Sequence, residues 1–322
     1  MKKRICLLFL LLLCCLLPAG CNRDPLSPIA APSANGIPAP VVTGRPENSY
    51  LATLWFRYGT EPLLAPETRI ITHSRAEGHA LALVQALLAG PGATASGLSS
   101  LFPQGTQVIS CTQTENIMFV MLSRHIMNGY ADEPVSWRDD PYWAAEVPLR
   151  RKLAMQSIAA TLTENCNVDS VVILVEHTGS DSLRLRQSYY MEDSDALAEP
   201  LSRDESLLLT PARTAEIILQ CWQERDFSRL YHYIALADPI NGEIRPEAAD
   251  FPALLADLPR LLHASAEGGS VSLDGKTAVF TVSGVWLEEG NETPFTGMVL
   301  RLTREQGVWR IGLGQLRREA LP

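Results

Sequence analysis

The sequence has no apolar run long enough to cross a bilayer. The longest extends from Ile5 to Leu17, short of the roughly 20 residues that a spanning helix needs. It also lacks a basic tract: Lys and Arg total 27 against 36 Asp and Glu, for a formal charge of −9. A chain of that balance cannot neutralise a row of phosphates, which excludes nucleic acid as a partner. A broad electrostatic grip on anionic lipid is excluded on the same ground. Cysteine is sparse. Cys6, Cys14, Cys15 and Cys21 crowd the start, and only Cys111, Cys166 and Cys221 follow. None of the six histidines lies near a cysteine at ligand spacing, so no metal site is expected. Three scattered cysteines are no disulfide framework and read as buried free thiols, Cys111 and Cys166 being the one pair inside a single predicted unit. Phosphate-binding loops and dinucleotide fingerprints are missing as well, and no cofactor is expected.

What is present begins at the first residues. Lys2, Lys3 and Arg4, then the apolar run, then Pro18-Ala19-Gly20-Cys21 make a secretory signal. The cysteine directly after Ala-Gly resembles the lipobox of bacterial lipoproteins. That resemblance implies cleavage after residue 20, diacylglycerol on the Cys21 thiol and, usually, an acylated new amino terminus. It places the chain on the outer face of the bacterial cytoplasmic membrane. One position departs from the pattern: Pro18 stands where a large apolar residue is usual, and Leu17 is one further back. Loss of the three positive charges Lys2, Lys3 and Arg4 takes the net charge from −9 to −12, which leaves the lipid as the membrane link.

Residues 21–48 are rich in Pro, Ala, Ser and Gly. Such a stretch buries too little apolar surface to fold and reads as an extended tether. A first globular unit is expected over 49–206. Residues 50–58 read as a strand, and 79–89 as a helix with Leu81, Val84, Leu87 and Leu88 along one side, stopped by Gly90-Pro91. Residues 106–112 and 116–122 read as a hairpin. Residues 149–165 form a second amphipathic helix, and 168–175 a strand buried on both faces. The order β-α-β-β-α-β predicts an α+β module, a mixed sheet with helices packed on one face.

Several short motifs in this unit are shared with a known family. They are Ala80-Leu-Ala-Leu-Val-Gln-Ala-Leu-Leu-Ala-Gly-Pro91, Gly97-Leu98, Phe102-Pro103-Gln-Gly105-Thr106 and Val120-Met-Leu-Ser123. Met155-Gln-Ser-Ile-Ala-Ala-Thr-Leu-Thr163, Val168-Asp-Ser-Val-Val-Ile-Leu-Val175 and Pro200-Leu-Ser-Arg203 follow in the same order. Together they resemble the GerM-type domain of sporulation and spore-germination lipoproteins. Two links differ, with Glu115-Asn116 in place of a glycine turn and Asn165-Cys166-Asn167 in place of a Phe-Pro-Gly-like segment. The resemblance implies a compact module related to ring-building modules of envelope assemblies, working through protein–protein contact. It implies no catalytic residues.

A second unit is expected over 210–322. Thr210-Pro211 is a helix start, hydroxyl cap followed by proline at the first turn. Ala215, Ile218, Leu219 and Trp222 share a face. A further helical stretch is expected over 251–264, and Gly268-Gly269 reads as a turn. Antiparallel strands then follow, with a hairpin through Asp274-Gly275. A long helix and a curved sheet ending in Gly307-Val-Trp-Arg-Ile311 are similar to the nuclear-transport-factor-like cone fold.

No pair of acids reads as an acid–base couple, and no serine or cysteine pairs with a histidine as nucleophile and base. The notable stretch is 128–148, which interrupts the first unit with Tyr130, Trp137, Tyr142 and Trp143 among acidic residues. Aromatics of this kind serve as interface anchors, stack on cell-wall glycan, or pack over the nearby core. The expected function is a non-enzymatic lipoprotein with an assembly or scaffold role in sporulation or spore germination. Its partners would be other envelope or sporulation proteins or a second copy of itself. The alternative is a lipoprotein that binds cell wall, with peptidoglycan as partner, or a small ligand.

Overall fold

The computed structural model describes residues 48–74, 78–177, 181–190, 194–256, 258–288 and 290–319. The signal, Cys21 and the tether to residue 47 lie outside the described residues. The described residues form one compact unit of α+β class.

The first strand, β1 (Ser49–Tyr58), turns through Gly59 and pairs antiparallel over its whole length with β2 (Leu64–Thr72). Strand β2 is not among the elements expected from sequence, and it holds Pro66, a residue that strand interiors seldom take. In the ladder Pro66 stands opposite Trp55, whose own N–H and C=O bond to helix side chains rather than to β2. No ladder hydrogen bond is lost to the proline there. Helix α1 (His79–Leu88) buries Ala82, Leu83, Val84 and Leu87, each fully buried leucine or valine contributing about 1.5–3 kcal/mol. Gly90, at φ +90°, takes the left-handed conformation that ends it. A two-residue strand, β3 (Leu98–Ser99), pairs with Arg57 and Tyr58 and completes a sheet of order β2-β1-β3.

A second sheet is built from β4 (Val108–Thr114), β5 (Ile117–Leu122), β6 (Ser170–Glu176) and β7 (Ser182–Arg184), in that order. Only β5 and β6 run parallel, the connection between them being the 25-residue helix α2 (Pro141–Asn165). The strands of the module therefore divide between two sheets instead of forming one. The physical reason lies in α2. Ser157 donates to the Trp55 carbonyl at 2.6 Å, the Trp55 N–H donates to the Thr161 hydroxyl at 3.2 Å, and Asn165 exchanges bonds of 2.7 and 3.0 Å with Thr53. Spaced four apart, these polar residues lie in one row of the helix. They satisfy the outer edge of β1 where a neighbouring strand would otherwise stand.

Helix α2 also begins eight residues earlier than the sequence reading placed it. Asp140 caps it, accepting from Tyr142 N at 2.8 Å and Trp143 N at 3.2 Å, with Pro141 at the first turn. Pro148 lies inside the helix, a position that costs a backbone bond and made 128–148 look like loop throughout.

From residue 209 the chain enters a second core. Leu209 N donates to Leu64 O at 2.8 Å, and α3 (Pro211–Glu224) starts under the Thr210 cap. Helix α4 (Phe227–Tyr231) follows, and α5 (Phe251–Leu254) is a single turn. The helix expected over 251–264 stops there, because 260 onward is strand. Strands β8 (Arg260–Val271), β9 (Thr277–Glu288), β10 (Asn291–Glu305) and β11 (Val308–Ile311) form an antiparallel meander, closed by helix α6 (Leu313–Glu319). Gly268-Gly269 is a bulge within β8, not a turn before it. Gly268 has φ +64°, the register shifts between Glu267 and Ser270, and a Cβ on Gly269 would stand 2.2 Å from the Phe280 ring.

Trp222, Trp286 and Phe295 fill the space between α3 and the sheet, with ring centroids 5.3 and 4.8 Å apart in succession. The β1–β2 turn also enters this second core through Tyr58, Leu63 and Ala65. Beside it, Arg229 clamps Glu61 with bonds of 2.6 and 2.7 Å, and the Tyr58 hydroxyl donates to the His232 carbonyl at 2.5 Å. The His232 ring itself is exposed.

Candidate partner-contact site

The stretch 128–148 folds as a one-turn 3₁₀ helix at Trp137–Asp139 followed by the first two turns of α2. Its aromatics go to two places. Tyr130 and Trp143 both lie near Arg150, whose guanidinium carbon is 5.4 and 5.3 Å from their ring centroids. Tyr142 packs edge-on against Trp143 at 5.3 Å and is 59% exposed. Trp137 is apart from these three. It is buried, 6% exposed, and lies between Arg138 at 4.2 Å and Arg151 at 5.6 Å. Its ring is spent largely on the module's own packing, whereas Tyr142 offers a free face.

Tyr130 and Tyr142 help line a cleft of about 400 Å³, together with Phe102, Arg57, Glu146 and Arg150. The charges in it form a chain. Arg57 donates to both oxygens of Glu146, Arg150 Nε donates to Glu146 at 2.6 Å, and Arg150 Nη1 reaches both oxygens of Asp132 at 2.8 and 2.9 Å. Burial on its own would raise the Glu146 carboxyl; the hydrogen bonds and charges of Arg57 and Arg150 outweigh it and hold the group below its ordinary value. The Arg150 hydrogen bond likewise lowers Asp132. Both acids are ionised at neutral pH with their lone pairs engaged, so neither is a proton donor in waiting. Burial raises the Tyr130 phenol, which stays protonated. The cleft is equipped to hold a group by aromatic contact and hydrogen bonding. Arg57 and Phe102 reach it by tertiary packing, and only the i,i+4 spacing of Glu146 and Arg150 was a signal visible in sequence.

Residues 54–179 match the family model described as Germane: Sporulation and spore germination. This stretch is similar to the Germane family over 54–179. It carries the cleft, both sheets of the first core apart from their flanks, and all four aromatics. Among solved structures, the chain is similar to the tandem GerMN domains of the sporulation protein GerM from Bacillus subtilis, at 15% identity with TM-score 0.34. That likeness covers 48% of this chain and 47% of the tandem structure, so the chain spans about half the length of that relative. The first GerMN domain of the same protein matches at 14% identity and TM-score 0.33, over 48% of this chain and 98% of that one. A putative lipoprotein from Clostridium perfringens matches at 19% identity and TM-score 0.27, over 48% and 89%. No curated protein matches. The family match ends at residue 179 and leaves 210–322 outside it, and the cone fold expected there is matched by none of these relatives.

Proposed function

We infer that this is a lipid-anchored, non-enzymatic lipoprotein that serves as an assembly or scaffold part in sporulation or spore germination. The observation that carries the reading is the similarity to the Germane family over 54–179. The signal and lipobox pattern ending at Cys21 supports an address outside the cytoplasmic membrane, and two acyl chains are enough for stable anchoring. The acids of the cleft, neutralised by Arg57 and Arg150, favour a contact surface over a catalytic one. Partners in this reading are other envelope or sporulation proteins, or a second copy of the chain.

The test is a strain lacking the gene, complemented with wild type or with Cys21→Ala, scored for heat-resistant spores and for germination. Loss of either phenotype, restored by wild type and poorly by Cys21→Ala, supports the reading. Normal spores that germinate normally would overturn it. A second reading, binding of peptidoglycan, is favoured by one feature, the exposed Tyr142 beside a cleft with a hydrogen-bonding wall. Co-sedimentation with purified peptidoglycan, lost in Tyr142→Ala, distinguishes it.

A further inference from the structure

A second cleft of about 420 Å³ lies where β6, β7, the one-turn helix Arg124–Met127 and α2 come together. Four arginines line it, Arg124, Arg151, Arg184 and Arg186, and Glu176 is the one acid among its described lining residues. In a chain with nine more acids than bases this is a local reversal of sign. Arg151 is committed to Glu133 and to the Trp137 and Tyr189 rings. Among the described residues, no acid pairs with Arg124, Arg184 or Arg186, and the Nε of Arg184 is buried without a hydrogen-bond partner. Between the arginines the wall is apolar and open. Met127, Leu183 and Leu197 all line the cleft and are 52%, 55% and 51% exposed.

Among the described residues, the cleft also borders an unpaired sheet edge. Strand β7 is the end of its sheet. His177 N bonds to Asp181 O, and Leu185 N to Ile173 O, which turns the odd-numbered residues of β7 toward β6. The backbone groups of Ser182 and Arg184 then face outward, because alternate residues of an antiparallel pair face opposite ways. From Leu185 onward the edge is covered by 196–198, through Ala198 N to Leu185 O and Gln187 N to Ala196 O.

We propose that this cleft receives an extended acidic segment of a partner protein, added as a strand to the outer edge of β7. Main-chain bonds to Ser182 and Arg184 would supply the pairing. Carboxylates of the segment would meet Arg124, Arg184 and Arg186, and its alternate apolar side chains would cover Leu183, Leu197 and Met127. Strand addition of this kind takes affinity from the backbone and selectivity from alternate side chains. Arginine is suited to the charged part because its planar fork matches a carboxylate. The proposal deepens the assembly reading and rests on it for the nature of the partner.

The probe is a fluorescein-labelled peptide of alternating glutamate and leucine, with its lysine–leucine counterpart as control, titrated into the full chain and followed by anisotropy. The glutamate peptide should bind and the lysine peptide should not, and raising salt should weaken binding. Arg124→Gln with Arg184→Gln should weaken binding at least tenfold at unchanged thermal stability. Arg186→Gln, at an exposed position, should weaken it severalfold, and Arg301→Gln on β10 should leave it unchanged. Failure of the glutamate peptide to bind up to about 1 mM, equal binding of both peptides, or indifference to the arginine variants would overturn the proposal. Polygalacturonate binding lost in the same variants, with no peptide binding, would overturn it in favour of an acidic glycan. Peptide binding is read in vitro and spore formation in cells, so failure of one is distinguishable from failure of the other.

Discussion

Replacing Thr161 with valine tests how the two sheets of the first core are held together. The side chain is fully buried on α2, and its hydroxyl accepts from the Trp55 N–H on β1 at 3.2 Å. Valine keeps the shape and removes the acceptor, so the amide is left buried with no strand on that side to take it up. An orphaned buried donor costs about 1–3 kcal/mol. Ser157→Ala removes the 2.6 Å donor to the Trp55 carbonyl one turn away, and an under-satisfied carbonyl, with a second lone pair, is tolerated somewhat better than an orphaned N–H. We therefore expect Thr161→Val to destabilise by about 2 kcal/mol, Ser157→Ala by about 1 kcal/mol, and the pair to be non-additive because both hold the backbone of the same residue, Trp55. Thr163→Val is the control. Its hydroxyl bonds only to carbonyls of its own helix, at Ala159 and Ala160, and its loss should stay within about 0.5 kcal/mol.

The assay is urea unfolding of the full chain with each variant, comparing midpoints at constant slope. A Thr161→Val loss below about 0.5 kcal/mol, equal to that of the Thr163 control, would refute the reasoning. It would mean that the edge of β1 is not closed by these side chains.

Other outcomes can be checked in the same way. Trp137→Ala should destabilise by about 3 kcal/mol or more, since the ring is buried between arginines, while Tyr142→Ala should stay within about 0.5 kcal/mol; thermal melts of both decide which aromatic is free for a partner. The Glu146 carboxyl is held below its ordinary value in the fold, so its contribution is complete above the unfolded value near 4.3 and is lost as pH falls through the lower folded value. Stability of the wild type should accordingly drop more steeply on acidification below about pH 4 than that of Glu146→Gln, read from denaturant midpoints across pH. Glu115 takes the left-handed conformation, φ +53°, in the β4–β5 turn. Glycine fits that conformation without strain, so Glu115→Gly should stabilise by up to about 1 kcal/mol, measured by the same unfolding.

The sequence was legible where a local rule agreed with the final packing, and misleading where a tertiary contact overrode it. Thr210-Pro211 and Asp140-Pro141 are the same helix-start signal, a capping oxygen followed by proline. The first was readable because an apolar face follows without interruption. The second was hidden by Pro148, although the burial of Glu146, Val147 and the long run from Leu153 to Leu162 makes the helix continue through the lost bond. Strand β2 was not legible either, since nothing local reveals that Pro66 faces a strand residue bonded elsewhere. The polar row Ser157, Thr161 and Asn165 had no legible meaning, because a helix satisfying a strand edge is a fact of three dimensions. The candidate site follows this pattern. Its aromatics were visible as an unusual cluster in 128–148, but their division, with Tyr142 outward and Trp137 inward, is set by where Arg150 and Arg151 stand on α2. Those two arginines are adjacent in sequence and about 100° apart around the helix. One therefore orders the cleft at Tyr130 while the other lines the basic cleft near β7. A single pair of neighbouring residues thus supports both surfaces of the domain. Charge reversal at Arg150 should disturb the Tyr130 cleft and leave acidic-peptide binding intact, which separates the two surfaces in one measurement.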